Sequence, residues 1–281
     1  MSILVVGSTG LLGNTLCPLL VARGAKVVRH GHAQQADLTV DLTDPAATLA
    51  ALDKVRPERI INLAALSNVD DCEANPHLAY LLNVRLVENL AAWVKTSPDT
   101  HLVHVSTDQV YDDAGPHAED DVRLRHVYAL TKYAGEIVAT GVGGTVLRSN
   151  FFGPSRLPDR MSFSDWLLSA LREGRPTKVF TDVLFSPLSM ATLSEMIAVA
   201  MARRIPGVFN LGSHEGLSKA DFAFALASVF GLAATPLARA LSSEVPLRAY
   251  RPKDMRMNSA RFERTFDVRL PLLVDEIRSL R

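Results

Sequence analysis

The stretch Ile3-Leu4-Val5-Val6-Gly7-Ser8-Thr9-Gly10-Leu11-Leu12-Gly13 lies at the start of the chain and decides the fold. The apolar run Ile3–Val6 predicts a buried strand, and Leu11–Arg23 predicts a helix that ends at Gly24. Gly7, Gly10 and Gly13, which follow the strand and open the helix, let the backbone turn tightly and approach a ligand closely. The free N–H groups and positive dipole end of a helix start attract a pyrophosphate. We therefore predict a dinucleotide-binding turn; a turn that only packs the helix against the strand is the alternative.

Short apolar runs alternate with longer helical patterns over the first half of the chain. Further strands are predicted at Lys26–Arg29, Leu38–Asp41, Arg59–Ala64, His101–Ser106 and Thr145–Asn150. Helices are predicted at Pro45–Val55, Ala79–Lys95 and Tyr128–Thr140. This alternation is typical of a parallel sheet that is covered on both faces. We expect an α/β fold with a Rossmann-type, doubly wound parallel sheet over residues 1–155.

Prolines interrupt the pattern after Gly153, which indicates a second region. Helices are predicted there at Phe163–Glu173, Leu188–Arg203 and Lys219–Phe230. We expect residues 156–281 to form a smaller C-terminal α/β lobe that binds the substrate. The boundary is soft, because Val208–Gly212 resembles a strand that rejoins the sheet.

Composition excludes several classes of protein. Thirty Lys plus Arg balance thirty Asp plus Glu, so a nucleic-acid binder or a polybasic membrane binder is not expected. Cys17 and Cys72 lack CxxC spacing, and the histidines lack metal-ligand spacing, so no metal site is predicted. No apolar stretch approaches the ~18–20 residues that span a bilayer. The first apolar run is too short for a signal peptide, and a cytoplasmic protein is expected.

A Tyr-Lys pair supplies candidate proton chemistry. Tyr128-Ala129-Leu130-Thr131-Lys132 spaces its two functional side chains at i and i+4, on one face of the predicted helix. An ammonium beside a phenol favours the phenolate, so Tyr128 is able to exchange a proton near neutral pH. The preceding strand ends in Ser106-Thr107-Asp108, and its hydroxyl groups are suited to hold a carbonyl oxygen.

The second strand indicates which dinucleotide is bound. It ends in Val27-Val28-Arg29-His30 and carries no acid to hydrogen-bond the ribose hydroxyls of NAD. Arg29 suits the 2′-phosphate of NADP, so NADP is predicted and NAD stays open. The alternative for Arg29 is a solvated strand end.

These residues resemble the dTDP-4-dehydrorhamnose reductase family of the extended short-chain dehydrogenase/reductase superfamily, over nearly the whole chain. The matching segments are the glycine turn, Asp41-Leu42, the run from Asn62 to Asp70, Asn83, Ser106-Thr107-Asp108, Tyr128 and Lys132 with Gly135-Glu136, Arg148-Ser149, and the C-terminal run from Arg251 to Asn258. The last segment resembles the RPxxSRL sequence of the family.

The resemblance implies an NADPH-dependent reductase of a nucleotide-linked 4-keto-6-deoxy sugar. Tyr128 would be the proton donor, Thr107 would polarise the carbonyl, and Lys132 would bind the nicotinamide ribose and tune Tyr128. The implied cofactor-binding residues are Gly7, Thr9, Gly10, Leu11, Leu12, Gly13, Arg29, Asp41, Leu42, Ala64, Ala65, Leu66, Ser67, Tyr128 and Lys132. The implied substrate-binding residues are Thr107, Asp108, Phe151 and Arg251, with Arg251 on the nucleotide diphosphate.

Departures from the family pattern leave alternatives open on the substrate side. Phe151 stands where the family usually has Trp, and Phe185-Ser186-Pro187-Leu188 replaces GxPT. Gln109 replaces the Glu that serves as a base in the related dehydratases, which disfavours dehydration. The rival functions are an epimerase or reductase of another nucleotide sugar and a non-catalytic NADP-binding regulatory subunit. Arg251 has a structural alternative, in which it ties down the C-terminal tail, and a homodimer stays open.

Overall fold

The structure is a computed structural model that describes residues 1–31, 36–246 and 248–281. Its strands are β1 (Ser2–Val6), β2 (Lys26–His30), β3 (Arg59–Asn62), β4 (His101–Thr107), β5 (Thr145–Ser149), β6 (Phe151–Phe152), β7 (Thr177–Phe180), β8 (Leu184–Phe185), β9 (Leu188–Ser189), β10 (Gly207–Leu211), β11 (Leu217–Ser218) and β12 (Leu237–Ala240). Its α-helices are α1 (Gly13–Ala22), α2 (Pro45–Val55), α3 (Val69–Ala74), α4 (Pro76–Tyr80), α5 (Leu86–Thr96), α6 (Val127–Thr140), α7 (Phe163–Arg172), α8 (Met190–Arg203), α9 (Lys219–Phe230), α10 (Ala260–Phe266) and α11 (Leu273–Arg278). A π-helical segment, Leu81–Arg85, joins α4 to α5, and 3-10 turns cover Asp108–Val110 and Ser242–Glu244.

A six-stranded sheet carries the fold, in the order β10-β5-β4-β3-β1-β2. β1 lies between β2 and β3 and pairs with both in parallel, and β3 pairs with β4 in parallel. The chain therefore winds outward from β1 in one direction to β2 and in the other to β3. Such a reversal opens a crevice at the carboxyl ends of the two central strands, where α/β proteins bind ligands. The predicted doubly wound α/β fold is confirmed.

Burial explains why these sequences form central strands. Ile3, Leu4, Val5 and Val6 are fully buried in succession, so both faces of β1 are covered. Val208–Gly212 was predicted to rejoin the sheet, and β10 (Gly207–Leu211) is its edge strand.

Several predicted elements differ in the structure. The predicted helix Ala79–Lys95 contains the π-helical segment Leu81–Arg85, and Leu188–Ser189 forms strand β9 before α8 begins at Met190. Leu38–Asp41 is not a strand: Leu38 forms only an isolated bridge with His30. The carboxylate of Asp41 accepts hydrogen bonds from the backbone N–H and hydroxyl of Thr43, which closes a turn and bends the chain. The first helix begins at Gly13 instead of Leu11, because residues 7–12 form the preceding turn, in which Gly10 N–H bonds to Gly7 O.

The chain separates into two compact units. The first unit comprises Met1–Thr107, His126–Arg148 and Ser194–Phe209, and the second comprises Asp108–Arg125, Ser149–Leu193 and Asn210–Arg281. The second unit has its own core, in which Phe185 and Phe152 both meet the ring of Phe222 edge-on. Within the described part of the chain, no helix is both long and apolar enough to cross a membrane.

Candidate active site

The glycine turn lies at the crevice between β1 and β3. Gly7 adopts a φ of +76°, a left-handed conformation that side chains rarely adopt. A Cβ on Gly7 would lie 2.7 Å from the backbone nitrogen of Ala64, the second residue after β3. Only glycine therefore allows the two strand ends to approach so closely. Gly7 is one of the glycines from which the sequence predicted a dinucleotide-binding turn.

Further contacts fix the shape of this turn. A Cβ on Gly13 would lie 2.3 Å from Ser8 O, so the first turn of α1 packs directly on the turn backbone. Ser8 donates from both its backbone N–H and its hydroxyl to His30 O, each at 2.9 Å, which ties the turn to the end of β2. The result is a rigid, side-chain-free cradle beside a helix start. These residues fit the pyrophosphate of a dinucleotide.

The loop after β3, which was predicted to line the cofactor site, is held by two buried asparagines. Asn62 Oδ1 accepts from Ala64 N–H at 3.1 Å. Asn83, in the π-helical segment, accepts from Leu66 N–H at 2.8 Å and donates to Leu66 O and to Thr131 Oγ1. The side chain of Asn83 therefore has a structural role. These hydrogen bonds fix the backbone of the loop that carries Ala65, Leu66 and the exposed Ser67.

The predicted adenine contacts differ in exposure. Leu42 is buried, and its carbonyl accepts from Asn89 Nδ2 at 2.9 Å and from Thr48 Oγ1 at 3.0 Å. Asp41 is exposed and caps the turn described above. Leu42 is therefore part of the buried interior of the first unit, and the adjacent Asp41 lies at its surface.

An acid that β2 itself lacks lies a few residues further along the chain. Asp37 accepts from Arg29 at 3.0 Å from Nε and 2.8 Å from Nη2, and also from Arg29 N–H at 3.0 Å. These hydrogen bonds from Arg29 lower the pKa of Asp37 below its usual range. The guanidinium is half-exposed but is bound by this carboxylate.

Tyr128 lies in the first turn of α6. His126 caps this helix, because its Nδ1 accepts from Ala129 N–H at 3.1 Å, and its ring stacks parallel to that of Tyr128. Glu73 accepts from Val127 N–H at 2.8 Å, which adds a second anchor from α3. Tyr128 is 8% exposed, so its ring is packed on most sides.

Lys132 is buried on the same face of α6. Its Nζ donates to Val105 O at 2.8 Å, two residues before Thr107 at the end of β4. Burial lowers the pKa of Lys132 to about 8, and Glu136, one turn further along, opposes the shift. The structure thus brings Lys132 of the Tyr-Lys helix against β4, two residues before Thr107, and the catalytic roles of Thr107, Tyr128 and Lys132 stay predictions.

A buried ion pair supports this helix from behind. The Glu136 carboxylate accepts hydrogen bonds from Arg148, at 3.0 Å from Nε and 2.6 Å from Nη2. It also accepts a hydrogen bond from Ser106 Oγ at 2.5 Å. Arg148 and Glu136 are both almost completely buried. Such a pair fixes α6 against β4 and β5, because either charge left alone would be strongly destabilising.

The second unit contains a cavity of about 600 Å³, within the size range of small-molecule sites. It is lined by Gln109, Asn150, Phe163, Trp166, Arg175, Pro176, Thr177, Lys178, Val179, Phe180, Val183, Lys219, Val245, Arg251, Pro252 and Met255. Four of these side chains are cationic and none is acidic. Arg175 pairs with Glu173 and Lys178 with Glu244, which lie outside the lining, and the cationic lining suits a ligand that combines an anionic group with an apolar part.

Of the predicted substrate residues, only Arg251 lines the cavity directly. Asp108 is buried and accepts from Asn150 Nδ2 at 2.7 Å, and Asn150 does line the cavity. Phe151 is absent from the lining and pairs with Leu188 in a two-residue ladder. Its role as a substrate contact stays a prediction.

Sequence reasoning missed the aromatic and lysine residues of the cavity, which are Phe163, Trp166, Lys178, Phe180 and Lys219. One signal was present in the sequence. Lys219 was predicted as the first residue of a helix, where a cation opposes the helix dipole and is electrostatically unfavourable. A residue placed against this preference is a candidate for function.

Fold and site geometry define an α/β protein with a dinucleotide-type turn, a Tyr-Lys helix and an anion-accepting cavity. The family described as RmlD substrate binding domain matches residues 1–279. The chain belongs to this family, which confirms the predicted family.

Individual relatives agree with this assignment. The dTDP-4-dehydrorhamnose reductase of Salmonella typhimurium is 31% identical over 295 residues, covering 96% of this chain and 94% of the relative. The structure of a dTDP-4-dehydrorhamnose reductase from Clostridium acetobutylicum superposes with a TM-score of 0.89 at 25% identity, covering 100% of this chain and 98% of that one. A Bacillus anthracis dTDP-4-dehydrorhamnose reductase in complex with NADP has a TM-score of 0.90 at 21% identity, covering 99% and 98%, and shows the shared fold. The prediction of an oxidoreductase is confirmed, because the relatives are reductases.

Proposed function

We propose that this chain is an NADPH-dependent reductase of a nucleotide-linked 4-keto-6-deoxy sugar, of the type that dTDP-4-dehydrorhamnose represents. The observation that carries the proposal is the all-cationic charge of the cavity in the second unit. A nucleotide diphosphate supplies the complementary negative charge, and its base and deoxysugar supply apolar surface.

The first unit would hold the cofactor. The pyrophosphate would lie on the backbone of Gly7 to Gly13, where no Cβ fits at either end of the turn. When bound, NADPH supplies the hydride that reduces C4 of the sugar. Ala65, Leu66 and Ser67 would line the cofactor, and Leu42 would lie beside the adenine.

The residues of the chain would then handle the oxygen of the ketone. Thr107 donates a hydrogen bond to the carbonyl oxygen, and Tyr128 gives it a proton as the C4 carbon is reduced, so the ketone becomes an alcohol. Tyr128 is left as a phenolate, which the Lys132 ammonium stabilises until solvent returns a proton. Because burial lowers the pKa of Lys132 to about 8, this ammonium is still mainly protonated at neutral pH.

The substrate side of the proposal rests on Arg251 and the residues near Asp108. The planar guanidinium of Arg251 suits the diphosphate. Asp108 immediately follows Thr107 in the sequence and is suited to accept hydrogen bonds from sugar hydroxyls. Gln109 lines the cavity and carries no carboxylate, so no base for dehydration stands at that position.

Turnover of dTDP-4-dehydrorhamnose with NADPH, followed as the loss of NADPH absorbance, tests the proposal. A UDP-linked 4-keto sugar and dTDP-glucose serve as matched comparisons. Consumption of NADPH with the dTDP-linked ketone alone supports the proposal. Sugar isomerisation without net consumption of NADPH would identify an epimerase, and tight NADPH binding without turnover of any ketone would identify a regulatory subunit.

A further inference from the structure

Lys219 is placed where a lysine is least favourable. It is the first residue of α9, directly after the cap Ser218, so its charge opposes the helix dipole. Its Nζ lies 3.3 Å from the centroid of the Phe185 ring and 4.5 Å from that of Phe163. The ammonium is therefore held over two aromatic faces at the wall of the cavity.

The ammonium of Lys219 keeps its hydrogen-bonding capacity. Among the residues that the structure describes, none accepts a hydrogen bond from Nζ, although an ammonium carries three donors. Aromatic faces attract the charge but leave these donors available to a ligand oxygen. Lys219 is half-buried at the cavity wall, so a ligand oxygen can reach these donors, and a hydrogen bond to a charged group adds affinity.

The charged groups around Lys219 come from several elements. Asp108, in the 3-10 turn, is the carboxylate that acts on it and favours its charged form. α7 and β8 contribute aromatic rings. Asp221 on α9 itself is bound to Arg239 and Ser218.

The remaining charged groups of the cavity lining are the cations Arg175, Lys178 and Arg251. Burial outweighs the attraction of Asp108 and lowers the pKa of Lys219 to about 8. The charge of Lys219 is therefore present at neutral pH and is lost in mildly alkaline solution.

We propose that Lys219 is a specificity-determining residue, whose ammonium donates a hydrogen bond to a hydroxyl oxygen of the sugar in the nucleotide-sugar substrate. The inference rests on the proposed function and adds that Lys219 contacts the sugar of the substrate. Asp108 would repel a phosphate or a sugar carboxylate beside it, which leaves a neutral sugar oxygen as the acceptor. Asp108 also follows Thr107 directly in the sequence.

Binding of dTDP and of dTDP-rhamnose to the NADP-loaded protein, measured by calorimetry, separates the sugar contact from the diphosphate contact. Lys219→Met keeps the length of the side chain and an apolar group between the rings. We expect Lys219→Met to weaken the binding of dTDP-rhamnose about tenfold or more, which is the worth of one charged hydrogen bond. The affinity for dTDP should stay within about twofold of the native value. Lys95→Met, at an exposed lysine in the last turn of α5, is the control for loss of one charge. Equal weakening of both ligands, or of neither, overturns the proposal.

A second measurement needs no variant. In the native protein, the affinity for dTDP-rhamnose relative to dTDP should fall as the pH rises through about 8, where Lys219 loses its proton. A ratio that does not change with pH overturns the proposal even if Lys219→Met fails to fold. A native protein that turns over no nucleotide 4-keto sugar would defeat the proposed function itself. Native turnover with unaltered binding by Lys219→Met would defeat only this inference.

Discussion

Asp37 binds one edge of the Arg29 guanidinium with both carboxylate oxygens, at 3.0 Å from Nε and 2.8 Å from Nη2. The sequence assigned the guanidinium of Arg29 to the 2′-phosphate of NADP, and that assignment stays a prediction. The same carboxylate would repel that phosphate. On the proposed assignment, a 2′-phosphate at Arg29 would compete with the Asp37 carboxylate, and we expect Asp37 to weaken the preference for NADPH over NADH.

The first prediction removes this competing charge. Asp37→Asn should tighten NADPH about threefold to tenfold, close to the upper worth of an exposed ion pair plus the relief of repulsion, and should leave NADH unchanged. Arg29→Ala should reduce the difference between the affinities for NADPH and NADH. Fluorescence titration of both cofactors measures the effect, and Asp275→Asn, in another exposed ion pair, is the control. Equal NADPH and NADH affinities in all these proteins would remove Arg29 from the cofactor site.

The second prediction tests the proton donor. Tyr128→Phe should reduce kcat by about 10²–10⁴-fold, the usual worth of a positioned general acid, and cofactor affinity should stay within about twofold. Tyr133→Phe, on the same helix with its ring beside Arg148, controls for loss of a phenol hydroxyl. If Tyr128→Phe keeps kcat within a few-fold of the native value, another group protonates the sugar oxygen.

The third prediction concerns the stability cost of Lys132. Its pKa is 10.5 as a free side chain and about 8 in the folded protein, so the unfolded chain binds more protons between these values. Folding stability contributed by this group therefore rises with pH through that window and is lowest below about pH 8. Lys132→Met should raise the free energy of unfolding at neutral pH by about 1–3 kcal/mol while abolishing turnover.

The gain in stability should shrink as the pH approaches 10.5, where the unfolded lysine also loses its proton. Urea unfolding at several pH values measures it, and Lys95→Met, at an exposed site, should show no such trend. A Lys132→Met protein less stable than the native one at every pH would mean that the bond to Val105 O outweighs the cost of burial.

The fourth prediction addresses the buried Glu136–Arg148 ion pair, which fixes α6 against the sheet. Glu136→Gln leaves the buried Arg148 without a counter-charge and should lower the free energy of unfolding by about 3–5 kcal/mol. The double variant Glu136→Leu with Arg148→Met removes both charges and should recover most of the loss. Glu173→Gln, in an exposed pair with Arg175, is the control. A double variant as unstable as Glu136→Gln would show that the charges themselves are not the cause.

The sequence predicted those parts of the site that depend on local spacing. Gly7 and Gly13 lie in one short turn, and Tyr128 and Lys132 lie one helical turn apart, so their relation is set by backbone geometry alone. Thr107 was predicted because it ends a strand. The first helix, the sheet and the return of the last strand follow from the same periodicities.

What the sequence did not predict depends on tertiary approach. Asp37 lies beyond the end of β2 and accepts hydrogen bonds from Arg29, eight residues earlier in the sequence. The cavity combines Trp166 of α7, Lys219 of α9 and Arg251 of the C-terminal segment, which no local period relates. Leu38–Asp41 was predicted as a strand from its residue types, and the side chain of Asp41 closes a turn there instead.

The last prediction concerns Arg251, for which the sequence left two roles open. The structure shows other residues fastening its segment. Asp112 accepts from Lys253 N–H at 2.9 Å and from the Tyr250 hydroxyl at 3.0 Å, and Lys253 Nζ reaches Asp182 at 2.6 Å. Arg251 itself bonds to Ala249 O, two residues away, and lines the cavity. Other residues therefore fasten this segment as well, and the role of Arg251 in binding the diphosphate stays a prediction.

Arg251→Ala should raise the KM for the nucleotide sugar about tenfold or more, because a charge-assisted hydrogen bond to a phosphate is worth roughly 1.5–3 kcal/mol. Affinity for dTDP should fall by the same factor as that for dTDP-rhamnose, in contrast to Lys219→Met. NADPH affinity and Tm should change little, since Asp112, Asp182 and Lys253 still hold the segment. Lys253→Met is the matched comparison: it breaks the ion pair with Asp182 and should lower Tm. A large fall in Tm for Arg251→Ala with an unaltered KM would show instead that Arg251 fastens the tail and does not bind the diphosphate.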